Sequence, residues 1–203
     1  MLVMTARSIS KAHAVIDAIK SANPSTTTRF EVVQPDLSSL ASVREAASTI
    51  AQLTSSIDIL LNNAGVMAIP ERTISPDGVE MHLATNFLGH FLLTSLLLSQ
   101  LKAARNGSRV VNITSAGFVL TPFRFSDYNF NSSSVPPEER VDVGIAEKMG
   151  FEGLPAQVGY MPFVAYAQAN VANMLFSVGL GERFGKDGVL GFSAAPGGAL
   201  IRR

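Results

Sequence analysis

The sequence contains no cysteine, which excludes disulfides, thiolate nucleophiles and cysteine-bound zinc at once. It also lacks net charge: 16 basic and 16 acidic residues balance along the chain, leaving no electrostatic footprint for nucleic acid or an anionic membrane. Charged residues are scarce at 16%, against 47% hydrophobic, so the chain is rich in core-forming residues and does not read as disordered. The opening Met1-Leu2-Val3-Met4-Thr5-Ala6-Arg7 has no basic segment followed by a long apolar stretch and a cleavage site, which makes a cytoplasmic address the expectation. His82 and His90 are too far apart for the one-turn histidine pairing of a helical metal motif, and no metal is expected. A small neutral or mildly polar substrate suits this surface better than a macromolecular polyanion.

The 203 residues suit one domain with a sizeable core. Apolar runs at Leu2–Thr5, Phe30–Val33, Ile57–Leu61, Val110–Ile113 and Val189–Ser193 read as strands. Between them, helical spacing predicts helices over Ser8–Ala22, from Ser38 or Ser39 to Leu53, within Pro76–Leu101 and over Val164–Glu182. Alternating strand and helix predicts an α/β fold, a doubly wound parallel sheet with helices on both faces. The apolar stretch Ala84–Leu101 could imitate a membrane span, but Asn86, His90, Ser95, Ser99 and Gln100 inside it favour a packed helix and no membrane span. Residues 120–162 break the rhythm with five prolines and the polar run Asn131–Ser134; this reads as a pocket-shaping lid or as a partly disordered segment.

The richest motif is Asn62-Asn63-Ala64-Gly65, arriving straight off the apolar run Ile57–Leu61. A buried parallel strand that ends in amides, a small residue and a glycine opens into a ligand crevice. Downstream, Arg109–Ile113 leads to Thr114-Ser115, and Tyr166-Ala167-Gln168-Ala169-Asn170 lies in a helical pattern. In this order the amide turn, the strand-end serine and the helical tyrosine resemble the short-chain dehydrogenases/reductases. Thr85–Thr94 and Ala172-Asn173 bring the likeness closest to the retinol dehydrogenase and WW-domain oxidoreductase branch. The likeness covers nearly the whole chain and implies a Rossmann-like fold.

The resemblance implies hydride transfer between a nicotinamide ring and a carbonyl or alcohol carbon. It makes Tyr166 the acid/base, Ser115 the group that orients the substrate oxygen, and Asn86 the helix asparagine that organises a relay water. Asp36-Leu37 would contact adenine, Asn63, Ala64 and Gly65 would line the adenosine ribose, and Asn62 counts with them among the cofactor-binding residues. Pro196-Gly197 resembles the turn at the nicotinamide carboxamide. Arg7 sits where a guanidinium can reach a ribose 2′-phosphate, and Ala6 stands where NAD-preferring members carry an acid, so NADP is favoured over NAD. Arg7 also reads as a solvated strand-end cation. In the family the helices corresponding to residues 78–101 and 164–182 build the dimer interface, which implies a possible homo-oligomer.

Three positions depart from the family pattern. Asn170 stands where the family carries a lysine, whose charge lowers the tyrosine pKa from about 10 and whose ammonium holds the nicotinamide ribose. The glycine-rich phosphate turn and the opening strand have no counterpart before Gly65, and the pattern stops soon after Gly198, so the chain reads as shortened at both ends relative to the family. The central place of that opening strand predicts a gap in the middle of the sheet, bounded by strands whose donors lack partners unless they close on each other or recruit another chain. Two functions follow: an NADP-dependent oxidoreductase acting on a small lipophilic metabolite, or a catalytically impaired relative serving as an interaction subunit or surviving as a fragment.

Overall fold

The computed structural model describes residues 1–132 and 134–197. The chain runs through strand β1 (Leu2–Thr5), helix α1 (Ile9–Ala22), β2 (Phe30–Val33), α2 (Leu40–Leu53) and β3 (Ile59–Asn62). A composite helical stretch follows: α3 (Met81–Leu83), a π-helical turn (Ala84–Leu88), α4 (Gly89–Leu96) and α5 (Leu98–Lys102). Then come β4 (Ser108–Ile113), a 3₁₀ turn (Ala116–Leu120), the short α6 (Val143–Lys148), the long α7 (Pro162–Phe184) and β5 (Val189–Ala194).

Local chemistry sets these boundaries. Ser8 caps α1 by accepting from the Lys11 N–H, and Ser39, rather than Ser38, caps α2 by accepting from the Ser42 N–H. Pro162 opens α7 at a position where the missing N–H costs nothing. The helix expected over Pro76–Leu101 starts later, at Met81, and is interrupted twice: by the π turn that carries Asn86 and by Leu97. Such single π turns cluster at functional sites.

All strand pairs are parallel, yet the sheet is split. β1 pairs with β2, and β3–β4–β5 form a separate three-stranded sheet. Among the described residues β1 and β3 do not close on each other, so the central gap expected from the sequence is present and both edges face it unpaired. One face of the three-stranded sheet is dry: Val110 is fully buried with Phe176 and Leu180 of α7, and a β-carbon on Gly191 would run into the Ser177 carbonyl, a close approach that requires glycine. The opposite face carries Ile59 and Leu61 from β3 and Leu190 and Phe192 from β5, in register across Arg109 and Val111, and these four are exposed by 62, 58, 46 and 43%. The expectation of helices on both faces is therefore met on one side of this sheet only. A second cluster, built on Val43, Leu93 and Leu97, joins α2 and α4 to Val3 and Ile57 beside the two unpaired edges. The α7 stretch Pro162–Asp187 is long and apolar enough to cross a membrane, but 61% of its most apolar window is buried, as befits a core helix.

Residues 120–162 are more ordered than their composition suggests. Their organiser is Arg124, which is 1% exposed. Its guanidinium donates to Asp127 Oδ2, to the Ser132 carbonyl and to the Val158 carbonyl, each at 2.9 Å, and lies 4.4 Å from the Phe130 ring centroid. Around it Leu120, Val141, Ala146, Leu154 and Val158 form a third core with the start of α7.

Two outcomes follow for stability. Arg124→Ala leaves Asp127 buried without its counter-charge and should lower the unfolding free energy by about 3–5 kcal/mol in a denaturant titration. His90, on α4, is buried, and burial pushes its imidazole down to about 4, partly offset by its hydrogen bond to the Asn86 carbonyl. The unfolded chain therefore takes up a proton that the native state refuses. This contribution is intact above pH 6.5 and is lost as pH falls toward 4, about 3 kcal/mol in all. His90→Gln should flatten the pH dependence of stability across that window.

Candidate active site

The carboxyl ends of β1, β2 and β3 converge on one cavity of about 120 Å³. Its wall includes Thr5, Ala6 and Arg7 after β1, Asp36, Leu37 and Ser38 after β2, Ala64, Gly65 and Val66 after β3, and Met81 and Thr85 from the composite helix. Five residues expected at a cofactor therefore meet here: Arg7, Asp36, Leu37, Ala64 and Gly65. The Asp36 carboxylate accepts from the Ser38 hydroxyl at 2.7 Å and the Ser38 N–H at 2.9 Å through one oxygen, Oδ1. These bonds, and then the nearby Arg7 charge, hold its pKa below the usual carboxylate value. Its second oxygen stays available to a ligand. Arg7 is exposed, and its carbonyl is fixed by the Gln34 amide at 2.7 Å.

Close approach shapes the cavity. A β-carbon on Gly65 would lie 2.9 Å from Asn86 Oδ1. Asn86 itself grips both backbone groups of Val66, accepting from its N–H and donating to its carbonyl at 2.8 Å each. Its amide thus holds the exit of the Asn-Asn-Ala-Gly turn. On the far side of the π turn, a β-carbon on Gly89 would collide with the Leu37 carbonyl, so α4 and the Asp36-Leu37 segment touch backbone to backbone.

Of the expected catalytic residues, Asn86 stands beside this cavity, while Ser115, just past β4, and Tyr166 and Asn170, on α7, lie outside its wall. Ser115 ends β4, half-buried, with its Oγ accepting from the Gly117 N–H at 3.2 Å. The Thr114 hydroxyl donates to the Asn170 carbonyl at 3.2 Å, and Asn173 donates to the Ile113 carbonyl at 3.1 Å. These bonds seat the end of β4 against α7, one turn beyond the half-buried Tyr166. The Tyr166 ring is edge-on to His82, with centroids 6.2 Å apart. Asn170 is 3% exposed, and its amide donates back to the Tyr166 carbonyl at 2.8 Å. It is committed to its own helix.

Other expected positions lie apart from the cavity. Asn62 turns inward, 2% exposed, donating to Asn112 Oδ1 at 2.8 Å and Thr94 Oγ1 at 3.1 Å. The alternation of strand side chains sends Asn62 to the dry face and leaves the exposed Asn63 outside the cavity wall. Pro196 and Gly197 are exposed, Gly197 in a left-handed conformation at φ 75°, while Gly198 and Ala199–Arg203 lie outside the described residues. A wider hollow of about 640 Å³ lies in the segment between Ser126 and Arg140 and contains none of the expected catalytic groups.

A dinucleotide fits this chain in part. The adenosine end has a cavity, a carboxylate with a free oxygen and a cation; a cavity of this size holds one end of such a ligand, since whole small-molecule sites run to several hundred Å³. Among the described residues no glycine-rich turn supplies N–H groups to a diphosphate, and Asn170 offers no charge to a nicotinamide ribose. Thr5, Ser38, Val66, Met81 and Thr85 were not expected in the wall; their signal was only adjacency to the motifs.

Comparison with known proteins accords with this geometry. The family described as short chain dehydrogenase matches residues 1–129. An oxidoreductase of Fusarium equiseti, fscI, is 38% identical over 201 residues, covering 97% of this chain and 76% of its own length. Retinol dehydrogenase 13 of Homo sapiens is 36% identical over 162 residues, 80% of this chain, which spans only 41% of that protein. In fold, the chain matches a metagenomic short-chain oxidoreductase solved in complex with NADP, with a TM-score of 0.63 at 22% identity over 96% of this chain and 70% of that one. A family match over more than half the sequence, together with a relative of this identity spanning nearly all of it, establishes that the chain belongs to the short-chain dehydrogenase/reductase family of oxidoreductases.

Proposed function

We propose that this chain binds the adenosine end of NADP, in preference to NAD, in the cavity between β1, β2 and β3, and that its family chemistry interconverts a carbonyl and an alcohol on a small lipophilic metabolite. The observation that carries this reading is the meeting of Arg7, Asp36, Ala64 and Gly65, from three separate loops, on one cavity. Asp36 Oδ2 accepts from the adenine amine, Ala64 and Gly65 admit the ribose closely, and the exposed Arg7 reaches the 2′-phosphate. The bound nucleotide supplies the hydride that such a reaction needs. Tyr166 exchanges a proton with the substrate oxygen, and the Ser115 hydroxyl orients that oxygen.

Asn170 limits this chemistry. Its amide supports the helix backbone and brings the phenol none of the positive charge that the family's lysine supplies there. That observation favours a second reading: a catalytically impaired family member that acts as an interaction subunit. The apolar residues Phe91 of α4 and Leu175 and Val178 of α7, exposed by 41, 52 and 58%, lie on the two helices through which a homo-oligomer would form.

Titration with NADPH, followed by nicotinamide fluorescence, separates the two. A saturable signal is expected, and Arg7→Ala should weaken NADPH more than NADH; no saturable signal would favour the interaction subunit. Asn170→Lys should raise turnover of a generic ketone by tenfold or more, within the range that acid/base groups contribute. An unchanged rate in that variant would remove Tyr166 from the acid/base role.

A further inference from the structure

Between the cavity and the third core lies a polar cluster without an assigned role: the buried Glu80 and His82 and the half-buried Tyr160, gathered around Ile69. Glu80 and His82 are both 0% exposed, and ionisable side chains are buried this deeply only when paired. His82 Nδ1 lies 2.8 Å from Glu80 Oε1, and Glu80 Oε2 accepts from the Leu83 N–H at 3.0 Å. The other imidazole nitrogen, Nε2, accepts from the Ile69 N–H at 3.3 Å. A ring nitrogen that accepts carries no proton, so Nδ1 is the protonated nitrogen and donates to the carboxylate. The tautomer is thus set from both sides.

Ile69 is held at its other end as well. The Tyr160 hydroxyl donates to its carbonyl at 2.7 Å, and burial, followed by the nearby Glu80 charge, raises that phenol to about 12, so it remains a donor. The residue just before, Ala68, sits at φ 55°, a left-handed conformation that a side-chain-bearing residue adopts only at a cost. Such a conformation persists only where its neighbours over-determine it. Here Asn86 fixes Val66 upstream, and His82 with Tyr160 fixes Ile69 downstream. The same imidazole that holds Ile69 also makes a T-shaped contact with the Tyr166 ring, at an interplanar angle of 71°.

We infer that His82, oriented by Glu80, is a positioning residue for Tyr166: it fixes the phenol ring on α7 relative to the segment Val66–Ile69, whose first residue lines the cavity, with Tyr160 tying that segment to the stretch before α7. The inference rests on the reading of Tyr166 as the acid/base. One edge-to-face contact is modest in energy, but a reacting group displaced by about 1 Å loses on the order of 100-fold in rate.

Two double variants isolate the role. Glu80→Leu with His82→Leu removes both partners, so no unpaired carboxylate stays buried; Glu80→Leu with His82→Phe does the same but keeps an aromatic ring against Tyr166. In aromatic carbon-13 NMR of the purified chain, the Tyr166 ring signals should shift or broaden in the leucine pair and return toward the wild-type positions in the phenylalanine pair. Hydrogen exchange at the Ile69 amide should speed up at least tenfold in both. On an Asn170→Lys background, kcat should fall at least tenfold in the leucine pair, with KM for NADPH within twofold, and recover in part with phenylalanine. Tyr166 signals unmoved in the leucine pair would overturn the inference whatever the activity. Turnover in Asn170→Lys that is indifferent to both pairs sinks this inference alone, whereas no turnover in Asn170→Lys sinks the acid/base reading beneath it.

Discussion

The register between β3 and β4 governs everything that follows in this molecule, and a buried amide ladder sets it. Asn62 and Asn112 face each other as register partners, joined at 2.8 Å, and Asn112 passes the chain on to Ser177 of α7 at 2.9 Å. Ser177 in turn donates to the Phe192 carbonyl and accepts from the Ser193 hydroxyl, so one polar line crosses all three strands beneath the helix. A slip of β3 by one residue would turn Asn62 to the open face and strip Asn112 of its partner, at the cost of unsatisfied buried amide groups. The ladder is not fully closed, since Asn62 Oδ1 is buried without a partner.

From that register the two halves of the site inherit unequal precision. The half proposed for catalysis stands on rigid elements: Ser115 just past β4, whose end is tied by Thr114 and Asn173, and Tyr166 on a helix packed into two cores. The half proposed for the nucleotide rests on three strand-end loops that only partly share a sheet. What binds those loops together is the π turn, whose Asn86 clamps Val66 and whose Gly89 lets α4 touch Leu37. A regular α-helix through residues 84–88 would rotate Asn86 relative to Gly89, and one of those two contacts would be lost.

Much of this was legible beforehand, for identifiable reasons. Short apolar runs ending in polar or small residues gave all five strands, because parallel strands covered by helices must be apolar and their carboxyl ends must turn. The motif residues Asp36, Ala64 and Gly65 were found because they follow those ends directly. The π turn was not legible, since its residues have ordinary helical preferences and the extra backbone unit shows only in hydrogen bonding. Helix α6 was hidden because residues 120–162 take their order from distant partners of Arg124, and a single arginine among prolines carries no periodic signal. Asn62 was misplaced as a cofactor contact because the motif was read as one turn, whereas its first asparagine still belongs to the strand and points into the core. Glu80 and His82, two residues apart at a helix start, match no helix-face spacing, so only coordinates reveal that they meet.

The split sheet and the modest cavity are two views of one geometric fact. β1 and β3 each have one hydrogen-bonded edge and one free edge, and the cavity lies where their carboxyl ends approach without pairing. Loops anchored to two different sheets can line the adenosine end from the sides, but a floor of inward-pointing N–H groups requires a strand running between them into a turn, which is where dinucleotide folds bind a diphosphate. The same absence of a strand between β1 and β3 borders the apolar face of Ile59, Leu61, Leu190 and Phe192. Parallel strands gain stability from being covered on both faces, so the bare face weakens the three-stranded sheet on the side where the site most needs a rigid floor. The face covered by α7 is correspondingly the better packed one, and it is on that side that Tyr166 sits, with Asn170 one turn further along the helix.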